Sequence, residues 1–215
     1  VGFGKRRKSF ANTYMLDRTS RTRERHIMHR HLSRIFLALV FGLMAADPSL
    51  AAGGYWEFGA WRVIVEEIDT GEDLRRTCTA MTGGDGDMSA VLTVSNGDAG
   101  PPDYYPELLI NEHAIRGYDT RMQASDEVYL WFDDEDVIDG TIEHFFDDDG
   151  FAHAQVFLAQ STSQAGLRAM KRNGQMDVTV NGRAMHTFWL NGFSASYLKM
   201  MDECGFDGSG VLDLP

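Results

Sequence analysis

Four histidines follow residue 51: His113, His144, His153 and His186. Two of them flank a turn signal. Asp147-Asp148-Asp149-Gly150 separates the apolar runs Ile142 to Phe146 and Phe151 to Leu158, a pattern that predicts a β-hairpin. If Asp148-Asp149 is the two-residue turn, His144 and His153 are directly opposed. If Asp149-Gly150 is the turn, they become diagonal neighbours on one face. Opposed side chains lie about 5 Å apart, within reach of one ion. Together with Asp147 and Asp149 they are the candidate site for a divalent cation. A metal-assisted hydrolase is the activity such a site would serve. Zinc takes four protein ligands, or three and a water, so two imidazoles are an incomplete set.

Calcium chemistry is the other reading of the acidic runs Asp133-Asp134-Glu135-Asp136 and Asp147-Asp148-Asp149. An EF-hand loop places Asp at its first position and Gly at its sixth. With Gly150 sixth, the first position is Phe145, which has no ligand atom. A solvated charged turn accounts for these runs equally well. Gly192-Phe193-Ser194-Ala195-Ser196 lacks the closing glycine of a nucleophile elbow. No HExxH, CxxC, P-loop or GxGxxG pattern stands after residue 51. No catalytic residues are assigned, and no cofactor is expected beyond a possible divalent cation.

The elements around these residues read as short strands. Tyr55 to Glu66 is aromatic and β-branched, and Arg76 to Met81 returns after the turn Thr70 to Asp73. Ala90 to Val94, Glu107 to Ile110 and Val128 to Phe132 follow. Met176 to Val180 and Arg183 to Leu190 flank Asn181-Gly182, the strongest hairpin signal in the chain. Ser163 to Arg172 reads as a short helix. A second runs from about Gly192 to Cys204, with Phe193, Tyr197, Met200, Met201 and Cys204 on one face and Gly205 as its cap. The predicted class is mainly β: an antiparallel β-sandwich with two short helices, the last one C-terminal.

Upstream, Ile35 to Ala46 is an uncharged apolar run preceded by Arg30 and Arg34 and followed by Asp47-Pro48-Ser49-Leu50-Ala51. It is shorter than the ~20 residues a membrane span needs. The order basic, apolar, helix-breaking, small-x-small is that of a secretory signal. Residues 28–51 are therefore expected to be a signal peptide cleaved near Ala51, with 1–27 a non-structural upstream extension and 52–215 a single exported β-rich domain. The destination is the periplasm or the medium, with no membrane anchor in the mature chain.

Ten of the 20 Lys and Arg, but only three of the 32 Asp and Glu, lie in residues 1–51. Residues 52–215 thus carry 10 basic against 29 acidic side chains, a formal charge of −19. Such a surface repels phosphate backbones and anionic lipid, which excludes nucleic acid and favours a cationic protein partner. Two cysteines, Cys78 and Cys204, remain in a compartment that oxidises thiols, and an even count predicts a bridge.

Two stretches, Trp56-Glu57-Phe58-Gly59-Ala60-Trp61-Arg62-Val63 and Phe188-Trp189-Leu190-Asn191-Gly192-Phe193-Ser194-Ala195, resemble the invasion-associated locus B family of exported bacterial proteins. The chain differs from that family in its cysteines, none of which closely follows the first stretch. The resemblance implies a small β-rich envelope protein involved in host-cell interaction, without catalytic residues to carry over. A soluble, non-enzymatic exported binding or envelope module is the functional expectation.

Overall fold

Alternation of apolar and polar residues builds most of this molecule. In the computed structural model, which describes residues 53–133 and 136–212, ten strands and two helices follow one another. They are β1 Gly54–Phe58, β2 Trp61–Asp69, β3 Leu74–Gly83, β4 Ser89–Ser95, β5 Leu109–His113, β6 Val128–Phe132, β7 Asp136–Phe146 and β8 Ala152–Phe157. Helix α1 Gln160–Arg172, β9 Gln175–Val180, β10 Arg183–Trp189 and helix α2 Phe193–Glu203 complete the chain. The described residues belong to one compact unit, Pro48–Pro215. The signal-peptide and upstream-extension assignments, and Asp134 and Glu135, lie outside the described residues. No described helix is long and apolar enough to cross a membrane.

All ten strands join one antiparallel sheet in the order β1-β2-β3-β4-β5-β8-β7-β6-β9-β10. The mainly β class with a C-terminal second helix holds, and the separate sheets expected of a sandwich are here joined through β7. The first half of β7 pairs with β6 and its second half with β8. Partners change at Gly140, where a Cβ would sit 2.5 Å from Val156 Cγ1. Asp139-Gly140 looks like a turn in sequence, yet the glycine serves close backbone approach inside a strand.

The period-two pattern places Val128, Leu130 and Phe132 of β6 and Met176, Val178 and Val180 of β9 in the core. Asn181 and Gly182 both take positive φ, 50° and 74°, as a two-residue hairpin turn with the twist of its strands requires. The predicted first strand is in fact two, β1 and β2, divided by Gly59-Ala60 with Gly59 at φ 59°. Helix α1 begins three residues earlier than its apolar pattern predicts.

Helix α2 lies against β1, β2 and β3. Its start is set by Gly192 at φ 94°, where a Cβ would fall 1.8 Å from Phe58 O. Ser194 contributes no cap, since the capping position belongs to Gly192. At the far end Phe206 N–H donates to Met201 O at 2.8 Å around Gly205, closing the helix in a left-handed cap. Cys204 bonds Cys78 of β3 with a Cα separation of 6.0 Å, as the even cysteine count predicts. Both short stretches carrying the family resemblance meet here. Ala60 N–H donates to Asn191 O and Trp61 Nε1 to Trp189 O, each at 3.0 Å, and the Trp61 ring packs edge-on against Phe193 at 5.3 Å.

Inside this contact the Ser196 and Tyr197 hydroxyls are buried and meet no hydrogen-bond partner among the described residues. Burial, with Tyr105 and Asp207 behind it, pushes the Tyr197 phenol well above its usual range. An unsatisfied buried hydroxyl costs about 1–3 kcal/mol. Ser196→Ala is therefore expected to raise stability by about 1 kcal/mol, read as a higher urea midpoint. A lower midpoint would mean that the hydroxyl is satisfied in solution.

Candidate functional site

The β7–β8 hairpin decides where the histidines point. Its loop has five residues, 147–151, and pairs Phe146 with Ala152 and Phe145 with His153. Neither two-residue turn forms. Asp147 Oδ1 accepts from Asp149 N at 3.0 Å and Phe151 N at 2.8 Å, while Gly150 takes φ 80°. The pivot therefore falls on Asp149, and His144 pairs with Ala154. Because side chains alternate along a strand, this register puts His144 and His153 on opposite faces of the sheet. The predicted site of His144, His153, Asp147 and Asp149 is corrected on this point: no single ion can touch both imidazoles.

On the inner side, His144 shares a row with buried Glu112 and Ala154. His144 Nε2 lies 2.7 Å from Asp119 Oδ1. Glu112 accepts from Arg121 Nε at 2.6 Å and from Met122 N at 2.9 Å. These bonds tie the 114–127 connection to the end of the sheet. The bond from His144 holds the Asp119 carboxyl below its ordinary 3.8. A depressed carboxyl adds stability above its unfolded-state pKa and loses it as pH falls through the folded-state value. The parent is therefore expected to melt above Asp119→Asn at pH 6, and the gap between them to be smaller at pH 3. Thermal melts at both pH values check this.

On the outer side a different pair has formed. His113 of β5 stands directly opposite His153 of β8, with Nδ1 to Nδ1 at 2.6 Å and ring centroids 4.7 Å apart at 89°. Phe145 of β7 stacks on His153 at 5.1 Å. Asp147 Oδ2 accepts from His153 Nε2 at 2.9 Å. That bond and the Phe151 backbone N–H hold the Asp147 carboxyl below its usual value. Partial burial, then the neighbouring His153, hold the His113 imidazole below its ordinary 6.5. The Asp149 side chain takes no part, and faces Arg116 at 3.7 Å on the exposed loop. The sequence pattern ends β5 at Ile110, because Asn111-Glu112-His113 is polar, and so leaves His113 outside it. The available signal was spacing from β8, which is readable only once the two strands are known to pair.

A cleft of about 500 Å³ opens beside this end of β5, lined by Asp87, Met88, His113, Tyr118, Asp119 and Arg121 among others. Neither His144 nor His153 lines it. No group of three or more His, Cys, Asp or Glu among the described residues gathers in a way that could hold a metal ion.

The outer face of β7-β6-β9-β10 is of another kind. Its outward positions are Val137 and Asp139, then Tyr129 and Trp131, then Gln175, Asp177 and Thr179, then Thr187 and Trp189. Trp189 is 61% exposed, Tyr129 and Trp131 37% each. Trp131 Nε1 donates to Thr179 Oγ1 at 3.1 Å, which ties the indole to the neighbouring strand. Two carboxylates and no Lys or Arg share these positions.

Antiparallel β architecture with a disulfide-pinned terminal helix is the class these observations define. Comparison with family models, with curated proteins and with solved structures finds no match for the chain.

Proposed function

We propose that this chain is an exported bacterial protein whose domain, residues 52–215, acts without catalysis as a binding module in the periplasm or the medium. The family resemblance adds an envelope or host-interaction role. The observation that carries the reading is the aromatic outer face of β6, β9 and β10. Trp and Tyr dominate the energetics of protein interfaces, because a large rigid ring leaves water at little entropic cost. A soluble domain that displays two tryptophans and a tyrosine on one sheet face carries an interaction surface rather than scattered exposed apolar residues. Asp139 and Asp177 on that face, within a domain of formal charge −19, favour a cationic protein partner. The rings themselves attract Arg and Lys through their negative π faces.

The hydrolase alternative drew on a metal held between His144 and His153, and the opposite-face register removes that support. Affinity capture from an envelope extract tests the binding reading. The parent should retain a basic protein that Trp131→Ser/Trp189→Ser loses by at least ten-fold at equal loading. Equal capture by both would sink this reading. Metal-dependent turnover in a broad hydrolase screen would restore the alternative.

A further inference from the structure

We propose that His113 and His153 form a chelating pair for a divalent transition-metal ion on the outer face of the sheet, with Cu2+ the best-fitting ion. Directly opposed positions on β5 and β8 bring the two Nδ1 atoms to 2.6 Å. The backbone thus holds both rings close enough to share an ion without rearrangement of the fold.

The tautomer of His153 is set by its other nitrogen. Nε2 carries the proton, because it donates to the Asp147 carboxylate. A neutral imidazole so arranged presents an Nδ1 lone pair, and a carboxylate behind a ring is a common way to orient a metal-bound histidine. Asp147 is itself fixed by the backbone N–H groups of Asp149 and Phe151, and Phe145 stacks on the ring. His153 is therefore oriented before any ion arrives. His113 is the more exposed member of the pair. Without an ion its Nδ1–H donates to His153 Nδ1. On binding, this proton leaves Nδ1 for solvent while Nε2 takes one up, so the ring stays neutral and no net proton is released.

Size selects the metal. Metal–imidazole bonds are about 2.0–2.1 Å. Two nitrogens at a right angle around a tetragonal ion then lie about 2.9 Å apart, and around a tetrahedral ion about 3.3 Å. Starting from 2.6 Å, the tetragonal arrangement needs the smaller opening. Cu2+ prefers that geometry and also heads the affinity order of the divalent first-row ions. No third protein ligand joins the pair among the described residues, so water fills the remaining positions. The net negative charge of the domain adds a general attraction for the cation.

Titration of the full-length chain with CuCl2, followed by calorimetry and electron paramagnetic resonance, tests the assignment. His26, His29 and His31 belong to every variant and set a common background. The parent should show one additional site with two-nitrogen hyperfine structure. His113→Ala and His153→Ala should each weaken that site at least ten-fold and leave at most one nitrogen. Asp147→Asn should weaken it by about ten-fold through the misoriented ring, and His144→Ala should leave it unchanged. Should His153→Ala fail to fold, His113→Ala carries the test alone from its exposed position. Identical isotherms and spectra for the parent and His113→Ala would overturn the proposal.

Discussion

Opening the Cys78–Cys204 bridge is expected to lower the stability of this domain by up to about 5 kcal/mol. The bond closes a loop of 126 residues, so its loss frees an unusually large denatured ensemble. The chain-entropy relation places a loop of that length near the top of the range for single disulfides. The bridge also fastens the C-terminal end of α2 to β3, in the middle of the β2-β3-β4 meander. Arg76 supports the same corner by donating from Nη1 to Glu203 O at 2.7 Å, a contact that does not depend on the bridge. Urea titration of the oxidised protein against the Cys78→Ala/Cys204→Ala variant measures the difference. A loss under about 1 kcal/mol would show that the denatured chain is already compact and that the long-loop argument fails.

Truncation of Phe193 is the second large effect. The ring is 1% exposed and sits between Trp61, edge-on at 5.3 Å, and Tyr197 at 5.9 Å. Phe193→Ala removes a fully buried ring and leaves a cavity that neighbours held by backbone hydrogen bonds cannot fill. Such changes cost about 3–5 kcal/mol. In a domain of this size that corresponds to a melting temperature lower by roughly 10 °C. Ser194→Ala, one residue away, should change stability by less than about 0.5 kcal/mol, because Ser194 makes no cap. A nucleophilic serine would reverse the pattern, with the fold kept and an activity lost. A Phe193→Ala protein that melts with the parent would disprove the anchoring role of α2.

Much of the architecture was legible because it depends on local chemistry. Asn181-Gly182 specifies its own turn through two residues that tolerate positive φ. Val128, Leu130 and Phe132 announce a buried face by period two alone. Phe193, Tyr197, Met200 and Met201 do the same for a helix at period 3.6, and Gly205 ends it. Misplaced boundaries have one cause in common. Asp139-Gly140 and Asn111-Glu112-His113 carry the composition of loops, yet each sits in a strand, the first paired with neighbouring β6 and the second with β8, some 40 residues on. Tertiary pairing overrides local propensity at such positions.

The histidines show where the sequence stops. That a hairpin stands between His144 and His153 follows from Asp147 to Gly150 and the apolar runs beside it. Whether the two rings share a face depends on one residue of loop length, and the side-chain bonds of Asp147 to its own loop decide that length. A shift of one residue turns every side chain of a strand to the other face. His153 accordingly meets His113, 40 residues away, through the β5–β8 pairing that no local pattern encodes. The sequence by itself determined the class, the buried faces and the cysteine pair, since composition and period are properties of the chain alone. Register and strand order decided which polar groups meet, since those depend on contacts formed only when distant segments are brought side by side.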